Sequence, residues 1–161
     1  MTVQINGLNG VTFPNNSTQA SAGQVLQVVN ASYATQTSSS SQTYVDTGLS
    51  ATITPKFSTS KIVILVEHPN CIKDNSNSQN DISMNICRNG SQIVQIAHAI
   101  GYNGVVGYNY FGMSGSYVDS PATTSATTYK TQFKNQDNNG GTVYTQTGGV
   151  ASTMILMEIA A

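Results

Sequence analysis

The sequence predicts an all-β protein, an antiparallel sandwich or jelly roll, and three observations carry the prediction. No segment of the 161 residues sustains a helical period of apolar positions. Turn-forming clusters of Gly, Pro, Asn, Asp and Ser recur about every 8–15 residues, the rhythm of short strands joined by tight connections. Between the clusters lie runs rich in β-branched and aromatic residues, several alternating with a period of two. The length suits one domain, with a short arm besides.

Residues 43–68, TYVDTGLSATITPKFSTSKIVILVEH, hold two kinds of strand. Val45, Thr47, Leu49, Ala51 and Ile53 alternate with polar or small residues, so one face belongs in a core. After Pro55 and a Ser/Thr turn comes Ile62-Val63-Ile64-Leu65-Val66, apolar on both faces. Residues 154–157, Met-Ile-Leu-Met, repeat that pattern near the end of the chain. An antiparallel sandwich leaves one face of each sheet in water, so a strand without alternation needs cover on its outer face as well. A long loop would provide it; so would another subunit, with a closed trimer packed around these strands. On the second reading Ile62, Val63, Ile64, Leu65, Ile155 and Met157 form the interface.

The other elements follow in order. Residues 1–24 are punctuated by Gly7, Gly10, Pro14 and Gly23, too often for a core element. Their spaced apolar residues Val3, Ile5, Leu8, Val11 and Phe13 suit an extended arm that orders on a neighbour by strand addition, in preference to a flexible tail. Residues 25–161 then form the folded domain. QVLQVV at 24–29 is its first strand, and 31–42 is a Ser/Thr/Gln-rich connection. Pro69 and Asn70 are expected to end the strand before them, because proline cannot donate to the ladder. Residues 73–80, KDNSNSQN, read as a solvated polar turn. Asn89-Gly90 between 81–88 and 91–100 is a type I′ hairpin signal, with Ile86 opposite Ile93. Residues 101–107 are a glycine-rich loop, and 108–119 a strand with glycine interruptions suggestive of a bulge. In 128–134 Tyr129, Thr131 and Phe133 share one face; 142–147 and 152–160 complete the strands.

Composition narrows function. Charged residues make up 8% of the chain, far under the roughly 25% of ordinary soluble domains. Ser, Thr, Asn and Gln together make up about two-fifths of the sequence. Six basic against seven acidic residues leave no electrostatic footprint for nucleic acid or an acidic membrane. No apolar run reaches the ~18–20 residues of a spanning helix. No basic stretch followed by an apolar one opens the chain, so the expectation is synthesis in a cytoplasm without a secretory signal.

No motif carries catalysis. His68, Cys71, Cys87 and His98 spell a zinc-like set, yet Cys87 and His98 fall too far apart along the hairpin to share one ion. Asp74, Asn75, Asn77, Asn80 and Asp81 lack the glycine and terminal glutamate of a calcium loop. No G-x-S-x-G elbow, dinucleotide fingerprint or P-loop occurs. Glu67 and Glu158 are single carboxylates in apolar strands, read as edge or interface charges. Cys71 and Cys87 read as small half-buried thiols, with one bridge as the alternative. The expectation is a non-enzymatic protein with no metal and no cofactor. Tyr102, Tyr108, Tyr110 and Tyr117 lie among glycines, a composition typical of binding loops. Tyrosines packed across strands would read the same way.

The opening INGLNGVTFPNNSTQASAGQVLQVV resembles the G-I-T-F-P-D-G-T-x-Q and G-x-V-L-Q-V openings of bacteriophage tail-fibre and related virion proteins. Residues 43–68, DSPATTSATTYKTQFK at 119–134 and the ending STMILMEIAA resemble successive blocks of small phage structural proteins from aquatic bacteria, cyanobacteria among their hosts. Residues 73–80 and 101–107 depart from that pattern, which leaves the binding target open. The resemblance implies a homotrimer on the virion surface, with a compact domain similar to tumour-necrosis-factor-like jelly rolls. Its arm would dock on capsid or tail proteins, as a decoration protein or a fibre appendage. The alternative is a receptor-binding tip recognising a host surface glycan or protein through the tyrosines.

Overall fold

The computed structural model describes residues 4–6, 10–12, 18–19, 23–137 and 140–161. Its strands are β1 (Gln4–Asn6), β2 (Gly10–Thr12), β3 (Thr18–Gln19), β4 (Val25–Tyr33), β5 (Thr37–Ser39), β6 (Val45–Ile53), β7 (Lys61–Lys73), β8 (Ile82–Arg88), β9 (Ser91–Ile100), β10 (Asn109–Asp119), β11 (Thr127–Asn135), β12 (Val143–Thr145) and β13 (Ser152–Ile159). Every pairing is antiparallel. One sheet runs β4-β13-β7-β12-β5 with β10 on the free side of β7; the facing sheet runs β6-β11-β8-β9. Together they form the jelly-roll-like β-sandwich expected from the sequence.

Of the expected arm, Val3, Leu8 and Phe13 lie outside the described residues. Ile5 and Val11 pair with each other across β1 and β2, in a three-stranded sheet that β3 completes.

Alternation decides which side chains enter the sandwich. In β6, Thr47, Leu49, Ala51 and Ile53 are buried while their neighbours are exposed. β11 buries Tyr129, Thr131 and Phe133, and β13 buries Met154, Leu156 and Glu158. The core is split in two. Leu49, Ile53, Ile62, Ile64, Ile86, Tyr129 and Leu156 belong to one apolar cluster. Cys71, Ile82, Met84, Phe133 and Val143 belong to the other. Between them Thr47, His68, Thr131, Gln146 and Ser152 make a polar seam, each at most 1% exposed.

Several local expectations are corrected. β4 continues to Tyr33 and β5 forms within 31–42. Pro69 and Asn70 do not end their strand: β7 passes through them as a bulge. Phe111 pairs with Cys71 and Met113 with His68, so two residues of β7 stand opposite the single Gly112. On its other edge β7 pairs with β13 only as far as Glu67 and with β12 only from Ile72. The proline therefore lies where neither ladder asks for a donor. A Cβ on Gly112 would come within 3.2 Å of the Pro69 carbonyl oxygen. The hairpin turn forms with positive φ at Asn89 (48°) and Gly90 (88°), and Cys87 faces Gln92. A further bulge then shifts the ladder, so Ile86 pairs with Val94 and not with Ile93.

Candidate interaction surfaces

The outer face of the six-stranded sheet carries an apolar patch set by register. Met157 pairs with both Val28 and Val63, and Val63 with Val118, giving one apolar row across β4, β13, β7 and β10. The next row holds Asn30, Ile155, Leu65 and Ser116. Val28 is 57% exposed, Val118 53% and Leu65 38%. Val63, Ile155 and Met157 are half-buried. A shallow groove of about 450 Å³ runs between Leu65, Glu67, Ser114, Ser116, Thr153 and Ile155. Exposed Lys61 and Glu67 flank the apolar part of β7 on the same face. Four of the six residues expected at an interface thus face outward. Ile62 and Ile64 do not: both are 0% exposed and pack in the core, because an unbroken apolar run still alternates between two faces.

The bulge at Pro69 and Asn70 swaps the parity of β7. Before it, His68 points inward and Glu67 outward; after it, Cys71 and Lys73 are buried and Ile72 takes the outer side, in register with Tyr110 and Tyr144. Tyr108 and Tyr110 are 60% and 63% exposed, their ring centroids 6.5 Å apart. Tyr102 is 51% exposed in the loop between β9 and β10. Tyr117 is placed differently from the sequence expectation: it packs against the inner core, paired with Ile64. Tyr144, Ile72 and Thr147 were not legible as surface partners of these tyrosines, since they are brought together only by β12 and the bulge.

Lys73 belongs to the strand and not to the solvated turn expected there. It is fully buried, and its Nζ donates to the carbonyl oxygens of Val105 (2.7 Å) and Ser78 (3.4 Å), tying the loops that follow β7 and β9 to β7. In the turn itself Asp74 Oδ1 accepts from the Ser76 hydroxyl and amide and from Asn80 Nδ2.

In the polar seam the Ser152 hydroxyl stands 2.7 Å from His68 Nδ1, the spacing of a nucleophile and its base. The surroundings assign another role. Gln146 Oε1 accepts from the hydroxyls of Thr37 and Thr145, so its amide nitrogen faces His68 Nδ1 (3.3 Å) and Ser152 Oγ (2.9 Å). An amide nitrogen only donates, so Nδ1 accepts and Nε2 carries the proton toward Thr131 Oγ1 (3.2 Å). Thr131 Oγ1 in turn lies 2.6 Å from Thr47 Oγ1. Burial lowers His68 to about 4, so the ring is neutral at ordinary pH. Both ring nitrogens are committed and Ser152 is sealed from solvent. The constellation is a satisfied hydrogen-bond network that fixes how the sheets face each other.

Two further buried carboxylate groups lie in one row, on either side of Ile62 at one end of the sandwich. Arg88 contacts both oxygens of Asp119 (2.9 and 3.0 Å), and the Tyr129 hydroxyl donates to Asp119 Oδ2 (2.7 Å). Burial, reinforced by that bond, pushes the Tyr129 phenol up. Glu158, read from the sequence as an edge or interface charge, is fully buried. It accepts from Gln27 Nε2 (2.5 Å) and the Lys56 amide (2.7 Å). Burial works against its charge, yet the donors around it outweigh that and lower its pKa. His98 lies on β9, in the other sheet from His68, and both cysteines are free and buried. No group of three or more metal-binding side chains converges among the described residues.

No family model matches the chain, and a search of curated proteins found no match. Among solved structures, the VP2 subviral particle of infectious bursal disease virus aligns with a TM-score of 0.53 at 14% identity, over 98% of this chain and 40% of that one. A structure of the Gx strain of the same virus aligns over 84% of this chain and 37% of that one, with 16% identity and a TM-score of 0.45. The chain therefore spans about 40% of the length of that VP2 chain. At this identity the likeness is one of fold.

Proposed function

We propose that this chain is a non-enzymatic virion structural protein: a surface knob of a phage particle, assembled as a homotrimer and attached through residues 1–24. The observation that carries the reading is the apolar row Val28–Met157–Val63–Val118 with Leu65 and Ile155 beside it. An apolar patch continuous over four strands, bordered by charged and polar residues, has the anatomy of a subunit contact. The occupants are the neighbouring subunits of a closed threefold ring, with the three copies of this face gathered around its axis; closed symmetry is usual for soluble assemblies. Two things support the virion setting: the fold shared with a viral capsid protein, and a surface nearly devoid of charge. The position on the particle, capsid or tail, follows from what the arm meets.

Light scattering on the purified protein should give three times the 17.0 kDa chain mass. Leu65→Asp with Val63→Asp should reduce it to a single chain with an unchanged β-sheet circular dichroism spectrum. A wild-type monomer at micromolar concentration would overturn the trimer. Removal of residues 1–24 should leave the knob folded and exclude it from particles; normal incorporation would remove the arm from the proposal.

A further inference from the structure

We infer that a groove on the outer face, where β5, β12, β7 and β10 meet, is a binding site for a neutral saccharide. The inference gives a ligand class to the attachment alternative raised by the sequence, and it stands whether or not the knob is a trimer. The groove holds about 320 Å³ and is lined by Gln36, Ile72, Tyr108, Tyr110, Tyr144 and Thr147. That is the low end of small-ligand sites, which run from ~300 to 1,000 Å³.

Each part of the lining has a separate physical cause. Tyr110 and Tyr144 sit in register on either side of Ile72. The outward-facing Ile72 is consequently only 4% exposed and forms an apolar floor between aromatic walls. Tyr108, two residues before Tyr110 and so on the same side, adds a second ring inclined by 37° to the first. Tyrosines exposed by 60% and more in a cluster offer rigid, flat apolar area with a hydroxyl at each rim. A pyranose presents the complementary surface: a C–H face for the rings and hydroxyl edges for polar groups.

The polar groups are neutral. None of the six lining residues is charged, so an ionised ligand would lose its hydration without meeting a counter-charge. Gln36 supplies an amide. Thr147 supplies a hydroxyl whose Oγ1 is buried and has no hydrogen-bond partner among the described residues. A buried hydroxyl left unmatched is uncommon in native structures and calls for a partner. Thr147 is itself one of the residues that line the groove. The turn that carries it is held firmly: Asn70 Nδ2 donates to the Thr147 carbonyl oxygen at 2.6 Å. Positive φ at Gln146 (55°), Gly148 (68°) and Gly149 (75°) sets its shape.

The test is saturation-transfer NMR on the full chain with glucose, galactose, mannose, N-acetylglucosamine and their common disaccharides, and N-acetylneuraminic acid as the charged comparison. At least one neutral sugar should show transfer to its ring C–H protons, and the charged sugar clearly less. Tyr110→Ala and Tyr144→Ala should each weaken binding about tenfold or more, a loss in line with ~1.4 kcal/mol per decade. Thr147→Val should weaken it less, and Phe57→Ala, an exposed aromatic residue outside the groove, should leave it unchanged. Circular dichroism and molecular mass must match the wild type in every variant; Tyr108→Ala, at a more exposed position, replaces any variant that fails this. The inference is overturned if no neutral sugar binds, if binding survives the groove substitutions, or if the charged sugar binds equally well.

Discussion

Acidification probes the polar seam most directly, through His68. Burial holds the folded-state pKa at about 4, against 6.5 for a solvated imidazole. As pH falls below 6.5 the unfolded chain takes up a proton that the folded chain refuses until about pH 4. The contribution of this residue is thus fully present above pH 6.5 and is lost progressively as pH falls toward 4. The whole shift corresponds to about 3 kcal/mol, of which about 2 kcal/mol disappears between pH 7 and pH 5. Asp81 acts in the opposite sense. Burial, with Asp137 nearby, raises its carboxyl to about 6, so the folded chain takes up that proton first and gains stability as pH falls below 6. The wild-type profile alone therefore understates the effect of His68. The informative quantity is the stability difference between wild type and His68→Gln, measured by urea denaturation from pH 8 to pH 4.5. The neutral amide removes the titration and leaves Asp81 in place, while any fixed packing cost cancels along the series. The stability advantage of the wild type should shrink by about 2 kcal/mol from pH 7 to pH 5. A difference that stays constant to within about 0.5 kcal/mol over that range would refute a desolvated, neutral His68.

Three further predictions concern the frame around the seam. A Cβ at Gly141 would lie 1.6 Å from Asn80 Nδ2, in a fully buried side chain already bonded to Asp74 and Asn135; Gly141→Ala should cost ~2–4 kcal/mol in denaturant unfolding. Asp119→Ala strands both the Tyr129 hydroxyl and the Arg88 guanidinium and should cost ~3 kcal/mol, whereas Tyr129→Phe removes one donor and should cost ~1 kcal/mol; equal losses would contradict the shared carboxylate. Burial pushes Cys71 up to about 12 and raises Cys87, so native protein at pH 8 should resist iodoacetamide at both thiols and react at both in urea, as mass spectrometry would record.

What sequence reasoning could see was local. The alternation of 45–53 and of 128–134 and the Asn89-Gly90 turn each depend on a few neighbouring residues, and the structure keeps all of them. The continuous run 62–66 showed that a strand was present but concealed its phase. Only the cross-strand partners reveal that Ile62 and Ile64 are interior while Val63 and Leu65 face out. Pro69 misled for the same reason: its missing donor matters only if a neighbour needs it, and the neighbours of β7 change at that point. Glu158 looked like an edge charge because its donors come from 101 to 131 residues away in the chain. The tyrosine groove was half legible. Tyr108 and Tyr110 stood out by composition, but Ile72 and Tyr144 join them only in the assembled sheet.

The one extra residue at Pro69 and Asn70 works as a phase boundary within one long strand. Ahead of the boundary odd-numbered residues meet the outside world, and beyond it even-numbered ones do. One continuous strand thereby serves two surfaces written in opposite reading frames, an aliphatic one at Val63 and Leu65 and an aromatic one at Ile72. Removing a single residue at the boundary would put both halves in one frame. Gly112 would then face one residue instead of two, and plain alternation would keep Cys71 and the buried ammonium of Lys73 inside, Ile72 outside, and Val63 and Leu65 in their places. Two intact surfaces on an unbroken ladder would be the signature of that deletion.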